Sequence, residues 1–493
     1  MNQPHNPTPP SAAPKTFLNK KRNPPTPNNP PITYSTNWFT RNNHPSNPSS
    51  STELSLLYKE HLSTLKTTKH LPTSTTFSIE NKTNTQIPYT TTPPTTFASI
   101  PNTSPTLLNN CKQLRFTHLT SIQQTIIPLI LSNIDVIATA PTGTGKTIAY
   151  LFPTISSMLN KGYPLQHSNY SISKVYPITL ILVPTRELAD QVEKEAKKLS
   201  NATGITVVKI YGGIPYETQL LQMSYGCDII ISTPGRLIDY LQTETISLEY
   251  ISTIILDEAD KMLEMGFKEQ LKQIFLDNNL PHKTKRLNIL LSATFNNETN
   301  VISRTFVNHN KYLYIKPSDQ NDFPNIKQQF VFVKDGNSKM DMLVKQLHLV
   351  CNERNENVIV FVMKKKTAES VYEWLVKKDI QCCVIHGNLK QNERMKAIDD
   401  FQKGKEKILV ATDIAGRGID FVNVSYVVNY DIPKCLEDFV HRIGRTGRMG
   451  REGNAITIVV NDDIENNKNV LKQIKNYVIE RRQQVPKWLK KID

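Results

Sequence analysis

The chain has no apolar run approaching the roughly 20 residues that a membrane-spanning helix needs, and its first residues lack the apolar core of a secretory signal. It is also poor in cysteine. Cys111, Cys227, Cys351, Cys382, Cys383 and Cys435 form no Cys-x-x-Cys pair, which argues against a zinc site or a disulfide framework and suits a reducing compartment. The expectation is an intracellular, soluble protein with no membrane partner. Acidic residues are in the minority: 44 Asp and Glu against 59 Lys and Arg leave a formal charge of +15, which favours a polyanionic partner, nucleic acid first.

Sustained hydrophobic periodicity is missing from residues 1–95, which are dense in Pro, Asn, Thr and Ser. Such a stretch buries too little apolar surface to offset its ordering entropy, so it is expected to be a mostly disordered tail, with one short helix around Glu53 to Leu65. From Phe97 onward, short β-branched runs alternate with helix-length amphipathic segments, the pattern of βαβ units around a parallel sheet. Strands are expected at 135–139, 179–183, 207–211, 228–232, 253–256, 288–291 and 312–315. After a polar, Pro-containing break, a second series follows at 329–333, 358–362, 382–385, 407–410, 424–429 and 455–460. At 493 residues the chain has room for more than one domain. The reading is an α/β domain over 96–316, a linker at 317–325, a second α/β domain over 326–480, and a basic extension at 481–493, either a terminal extension or a docking tail.

The chemistry-bearing residues sit at strand ends. Ala140-Pro141-Thr142-Gly143-Thr144-Gly145-Lys146-Thr147 follows the first expected strand and precedes a helix. Glycines there let backbone N–H groups approach a phosphate, Lys146 reaches outer phosphates, and Thr147 is placed to ligate Mg²⁺. The strict pattern has Gly where this chain has Ala140. Asp257-Glu258-Ala259-Asp260 ends a second apolar strand, where Asp257 is suited to hold Mg²⁺ and Glu258 to orient or deprotonate an attacking water; the same residues also suit a helix N-terminus. Ser292-Ala293-Thr294 ends a third strand, its hydroxyls within expected reach of Asp260. In the second half, His441-Arg442-Ile443-Gly444-Arg445-Thr446-Gly447-Arg448 carries two arginines, Arg445 and Arg448, with the chemistry of arginine fingers; a solvated basic loop is the plainer account. Asp420 closes a Gly-rich loop and is a candidate ribose contact.

Taken together, these motifs resemble those of the DEAD-box RNA helicases of superfamily 2, over about Phe97 to Ile479. The resemblance includes Pro184-Thr185-Arg186-Glu187-Leu188-Ala189, Gly212-Gly213, Thr233-Pro234-Gly235-Arg236, His386-Gly387, and Gln391 with Arg394. It implies two tandem RecA-like domains, each a mainly parallel sheet flanked by helices. It further implies an ATP- and Mg²⁺-dependent, RNA-stimulated ATPase with a monomeric catalytic core, which unwinds short duplexes or remodels ribonucleoproteins. By position it implies RNA-backbone contacts from Pro184, Thr185, Arg186, Gly213, Thr233, Pro234, Gly235, Arg236, Gly387, Arg394 and Thr412, catalytic roles for Lys146, Asp257, Glu258, His441, Arg445 and Arg448, and interdomain coupling through Asp260, Ser292 and Thr294.

The family's adenine-reading segment is altered here. Arg115 replaces its Gly, Leu119 and Ser121 replace prolines, and Phe116, Thr120, Ile122 and Gln123 remain, with Phe97 as the second aromatic. Phe116 and Gln123 are the expected adenine contacts, with Thr142, Gly143, Thr144, Gly145, Lys146 and Thr147 around the phosphates. The flanks, Pro14 to Lys21 and Phe77 to Lys82, resemble those of spliceosomal members of the family acting at the 5′ splice site, which implies spliceosomal ribonucleoprotein partners and a nuclear location. The alternatives are a translation-initiation or general messenger-RNA helicase, which would place it in the cytoplasm, and an ATP-gated RNA clamp with little unwinding.

Overall fold

The computed structural model describes residues 76–81, 93–141, 143–162, 174–277, 279–318, 326–353, 356–413, 421, 424–447 and 452–492. Two sheets organise them. The first contains β1 (Phe77–Glu80), β2 (Asp135–Thr139), β3 (Thr179–Leu182), β4 (Val207–Ile210), β5 (Ile229–Ser232), β6 (Thr253–Leu256), β7 (Leu287–Ser292) and β8 (Tyr312–Pro317), in the order β1-β8-β2-β7-β6-β3-β5-β4. The second contains β9 (Ile326–Phe332), β10 (Asn357–Val362), β11 (Cys383–Ile385), β12 (Ile408–Thr412), β13 (Val424–Asn429) and β14 (Gly453–Val459), in the order β11-β12-β10-β13-β14-β9. Two RecA-like domains result, each with helices covering a parallel-dominated sheet.

Runs such as Ile229-Ile230-Ile231 and Thr253-Ile254-Ile255-Leu256 are buried along their whole length. That is what a parallel strand covered on both faces requires, and it explains why these strands read as continuous apolar runs rather than alternating ones. One apolar cluster gathers Val136, Ile181, Ile231, Ile255 and Ile289, and another gathers Ile137, Leu182, Ile230, Ile254 and Leu290, so alternate residues of the same strands feed opposite layers.

The strand order decides where chemistry collects. β7 lies between β2 and β6, so the chain ends leaving these three strands, at Ala140, Ser292 and Asp257, emerge side by side. The Ala140 N–H donates to the Ser292 carbonyl at 3.0 Å, and the Asp257 N–H to the Leu182 carbonyl at 3.0 Å. The phosphate loop, Asp257 to Asp260 and Ser292 to Thr294 all leave the carboxyl ends of their strands, the edge at which open α/β sheets bind ligands.

Two expectations need correction at the ends. The tail read as running to residue 95 gives up Phe77–Glu80, which pairs antiparallel with β8, Phe77 opposite Pro317 and Glu80 opposite Tyr314. A half-buried four-residue edge strand inside a polar stretch has too short a period to stand out. The suggested helix around Glu53 to Leu65 lies outside the described residues, as does most of the linker. At the other end, the basic extension is built into the second domain. Val485, Leu489 and Ile492 are buried in the same cluster as Phe439, Ile474 and Val478, and Trp488 packs on Phe332 with ring centroids 5.7 Å apart. Gln483 completes the free edge of β9, accepting from the Gln328 N–H at 2.9 Å and donating to the Ile326 carbonyl at 2.7 Å.

Candidate active site

The helix Lys146–Asn160 begins at Gly145, which is left-handed at φ 92° and supplies no side-chain cap. The first-turn N–H groups are therefore left for an anion, where the helix dipole also favours negative charge. A side chain at position 145 has no room: a Cβ there would meet Gln123 Nε2 at 2.6 Å and Thr120 Oγ1 at 3.1 Å. Those neighbours tie the adenine-reading segment to the phosphate loop. Thr120 Oγ1 donates to the Thr144 carbonyl at 2.8 Å and Gln123 Nε2 to the Gly145 carbonyl at 3.2 Å. Lys146 reaches back across the loop to the Ala140 carbonyl at 2.7 Å. Gly143 belongs to the same turn, with φ 78°; Thr142 lies outside the described residues. Phe116 stacks on Phe97 at 5.9 Å, and Phe97 in turn packs edge-on against Phe152.

The acidic strand end faces this loop. Asp257 is buried, and burial pushes its carboxyl up to about 6, with Lys146 opposing and Glu258 adding to the rise. Glu258 is left-handed at φ 54°, a conformation that costs a non-glycine residue roughly 1–2 kcal/mol. Burial raises its pKa while Arg445 of the second domain opposes.

Asp260 accepts from the Ala293 N–H at 3.1 Å, the Thr294 N–H at 2.8 Å and Thr294 Oγ1 at 2.9 Å, while its own N–H donates to Ser292 Oγ at 3.3 Å. Burial alone would raise its pKa; His441 beside it, then the Thr294 donors and Lys146, hold it below the usual value. The expected coupling of Asp260, Ser292 and Thr294 is thus a set of direct bonds, and it extends to a residue of the second domain: His441 Nε2 lies 3.8 Å from Asp260 Oδ2. Burial lowers the His441 imidazole to about 4.

Arg445 is buried behind His441, its Nε donating to the His441 carbonyl at 3.4 Å. Arg442, between them, serves the fold. Its guanidinium donates to both Asp413 oxygens at 2.5 and 2.7 Å and to the Asp431 carbonyl at 2.6 Å, over the Phe361 ring. Arg448 and Asp420 lie outside the described residues.

The residues expected to line RNA occupy neighbouring strand ends. Arg186 packs its guanidinium over Gly213, where a Cβ would meet it at 2.4–2.9 Å; Gly213 is exposed and left-handed at φ 93°. Pro184 is buried, and Thr185 is the buried N-cap of the helix Arg186–Leu199, accepting from the Leu188 N–H at 3.2 Å. Thr233, Pro234, Gly235 and Arg236 open the helix Pro234–Gln242, with Arg236 donating to the Ile214 carbonyl at 3.0 Å. In the second domain Gly387 is exposed and Thr412 is buried at the end of β12. Arg394 is turned to the first domain, 2.7 Å from Glu187, with Gln391 Nε2 donating to the same carboxylate at 3.3 Å.

Sequence reasoning missed that Glu187 receives both residues, because nothing in the separate motifs tells which partner the other domain presents. It also missed Tyr150, whose hydroxyl donates to Asp257 Oδ2 at 3.0 Å; its position three residues after Thr147, one helical turn on, was the available signal. Among the described residues no group of His, Cys, Asp and Glu forms a metal cluster, and no helix is long and apolar enough to cross a membrane.

Residues 120–302 match the DEAD/DEAH box helicase family and residues 338–450 the helicase conserved C-terminal domain. Among solved structures, Mss116p bound to single-stranded RNA and AMP-PNP is 30% identical over 76% of this chain and 75% of that chain, with a TM-score of 0.67. S. cerevisiae Dbp5 bound to RNA and ADP-BeF3 is 30% identical over 78% of this chain and 93% of that chain, with a TM-score of 0.64. The yeast DEAD-box splicing factor Prp28 is 27% identical over 89% of this chain and 94% of that chain, at a TM-score of 0.46, too low to bear on function. With both helicase domains matched in order and solved relatives 30% identical over 75% and 93% of their length, the chain belongs to the DEAD-box helicases and is an ATP-dependent RNA helicase.

Proposed function

We propose that the acids of the first domain and the arginines of the second make one ATP-hydrolysing site, complete only when the domains close on RNA, and that the protein remodels RNA in pre-mRNA splicing in the nucleus. The observation that carries the first part is the set of contacts spanning the domains, His441 at Asp260 and Arg394 with Gln391 at Glu187; beside them the Arg445 charge opposes the rise that burial gives the Glu258 pKa. The uncapped N–H groups of the helix Lys146–Asn160 and the Lys146 ammonium hold the phosphates. Thr147 and Asp257 would each offer a Mg²⁺ ion a hard oxygen, and the Asp257 carboxylate is held by the Tyr150 hydroxyl. That ion neutralises phosphate charge when bound. Glu258 orients the attacking water, and Arg445 balances charge on the transferring phosphoryl group. RNA is gripped through its backbone by Arg186, Arg236 and the Gly213 and Gly387 turns, which makes binding salt-sensitive and nearly sequence-blind.

The splicing assignment rests on the resemblance of Pro14 to Lys21 and Phe77 to Lys82 to spliceosomal members of the family. Crosslinking and purification of the full chain from cells tests it. Enrichment of small nuclear RNAs supports splicing; enrichment of ribosomal or messenger RNA alone overturns it. Strand displacement on a short RNA duplex, faster with ATP than with a non-hydrolysable analogue, separates unwinding with turnover from simple clamping.

A further inference from the structure

Tyr150 is fully buried inside the helix Lys146–Asn160, and its hydroxyl donates to Asp257 Oδ2 at 3.0 Å. A phenol has one proton to give, and the Asp257 carboxylate accepts only, so that proton goes to Asp257.

We propose that Tyr150 is a positioning residue for the Mg²⁺ end of the site, giving its proton to one oxygen of Asp257 so that the other is aimed at the ion. The inference rests on the reading of Thr147 and Asp257 as metal-holding residues. A carboxylate with one oxygen held by a phenol presents the other outward, which fixes the single oxygen facing the ion. Orientation of ligands by groups behind them commonly sets metal affinity.

The plainer account is that a buried phenol needs a partner and Asp257 is nearest. The two accounts differ in what the hydroxyl does for Mg²⁺ and what it does for nucleotide alone. The test uses the full chain with Tyr150→Phe and, as a second hydroxyl-free filler, Tyr150→Met. A fluorescent ATP analogue is titrated first in EDTA and then at fixed nucleotide over increasing Mg²⁺, with thermal melting to select folded protein. Positioning predicts a metal-free affinity within about twofold of wild type and a Mg²⁺ midpoint raised about tenfold. A wild-type Mg²⁺ midpoint in a folded variant overturns the proposal, as does an equal loss of affinity with and without Mg²⁺. Wild-type protein whose nucleotide affinity ignores Mg²⁺ overturns the metal reading of Thr147 and Asp257 itself, and this inference with it.

Discussion

Arg394 of the second domain places its guanidinium 2.7 Å from the Glu187 carboxylate of the first, and both side chains are buried. Removing one partner of a buried pair leaves the other charge desolvated and unpaired, which costs several kcal/mol. Because the pair exists only between domains, that cost falls on closure. Arg394→Gln and Glu187→Gln should each destabilise the closed, RNA-bound form by about 2 kcal/mol or more, leave RNA-free ATP binding unchanged, and give a double variant little worse than either single one. Interdomain fluorescence transfer with ATP analogue and RNA reads this directly. Additive losses in the double variant would show that the pair is not the source.

Arg394 also marks where sequence reasoning stops. The expected strands of both sheets lie within a few residues of the observed ones, because buried parallel strands write uninterrupted β-branched runs such as Ile229-Ile230-Ile231. The acids, the phosphate loop and the Asp260 to Thr294 bonds were legible too, since each is fixed by its own strand end. Contacts made by long side chains across a gap were not. Arg442 shares the same eight-residue motif as Arg445, yet it is consumed by Asp413 and the Asp431 carbonyl inside its own domain. Spacing in a motif does not say which arginine is taken up by its own domain. The C-terminal residues were misjudged for a related reason: Val485, Leu489 and Ile492 are scattered among basic residues, and only the fold reveals that they share one buried side.

Glu258→Gln keeps the shape and the strained backbone of the wild type while removing the carboxylate charge that faces Arg445. ATP and RNA affinities should stay within a few-fold of wild type, and RNA-stimulated phosphate release should fall by about 10²–10⁴. The variant should therefore accumulate as a closed complex, seen as slow RNA dissociation in the presence of ATP. Unchanged phosphate release would remove Glu258 from the mechanism.

His441 gives closure a pH dependence of defined sign. In the closed form burial lowers its pKa to about 4, whereas a solvated imidazole titrates near 6.5. The closed state therefore binds fewer protons than the open one between those values, so its advantage is fully present above about pH 6.5 and is lost as pH falls toward 4. Charging the ring does gain attraction from Asp260, 3.8 Å away, but Arg445, Lys261 and Lys146 oppose that charge. Interdomain fluorescence transfer of the RNA and ATP-analogue complex should weaken from pH 7 to 5.5 in wild type, and the His441→Gln profile should be flatter over that range. Identical slopes would place the titrating group elsewhere.

Arg115 stands where the family has Gly, and the structure shows the consequence: it is left-handed at φ 56°. It terminates the helix Pro105–Gln113, its N–H donating to the Lys112 carbonyl at 2.9 Å and that of Phe116 to the Cys111 carbonyl at 2.9 Å. This is the helix-ending turn that glycine adopts without penalty. The Arg115 side chain is exposed, so replacing it removes strain and little packing. Arg115→Gly should raise stability by about 0.5–1 kcal/mol, the strain relieved exceeding the added chain entropy of glycine in the unfolded state. The same turn delivers Phe116 onto Phe97 and leads into Thr120 and Gln123, which hold the phosphate loop. A turn that forms without strain should therefore also tighten ATP binding by a small factor, about two- to threefold, through a better-ordered adenine segment. Chemical denaturation and ATP-analogue titration of the same protein check both halves. A variant less stable than wild type would mean that the arginine makes a contact worth more than the strain it carries.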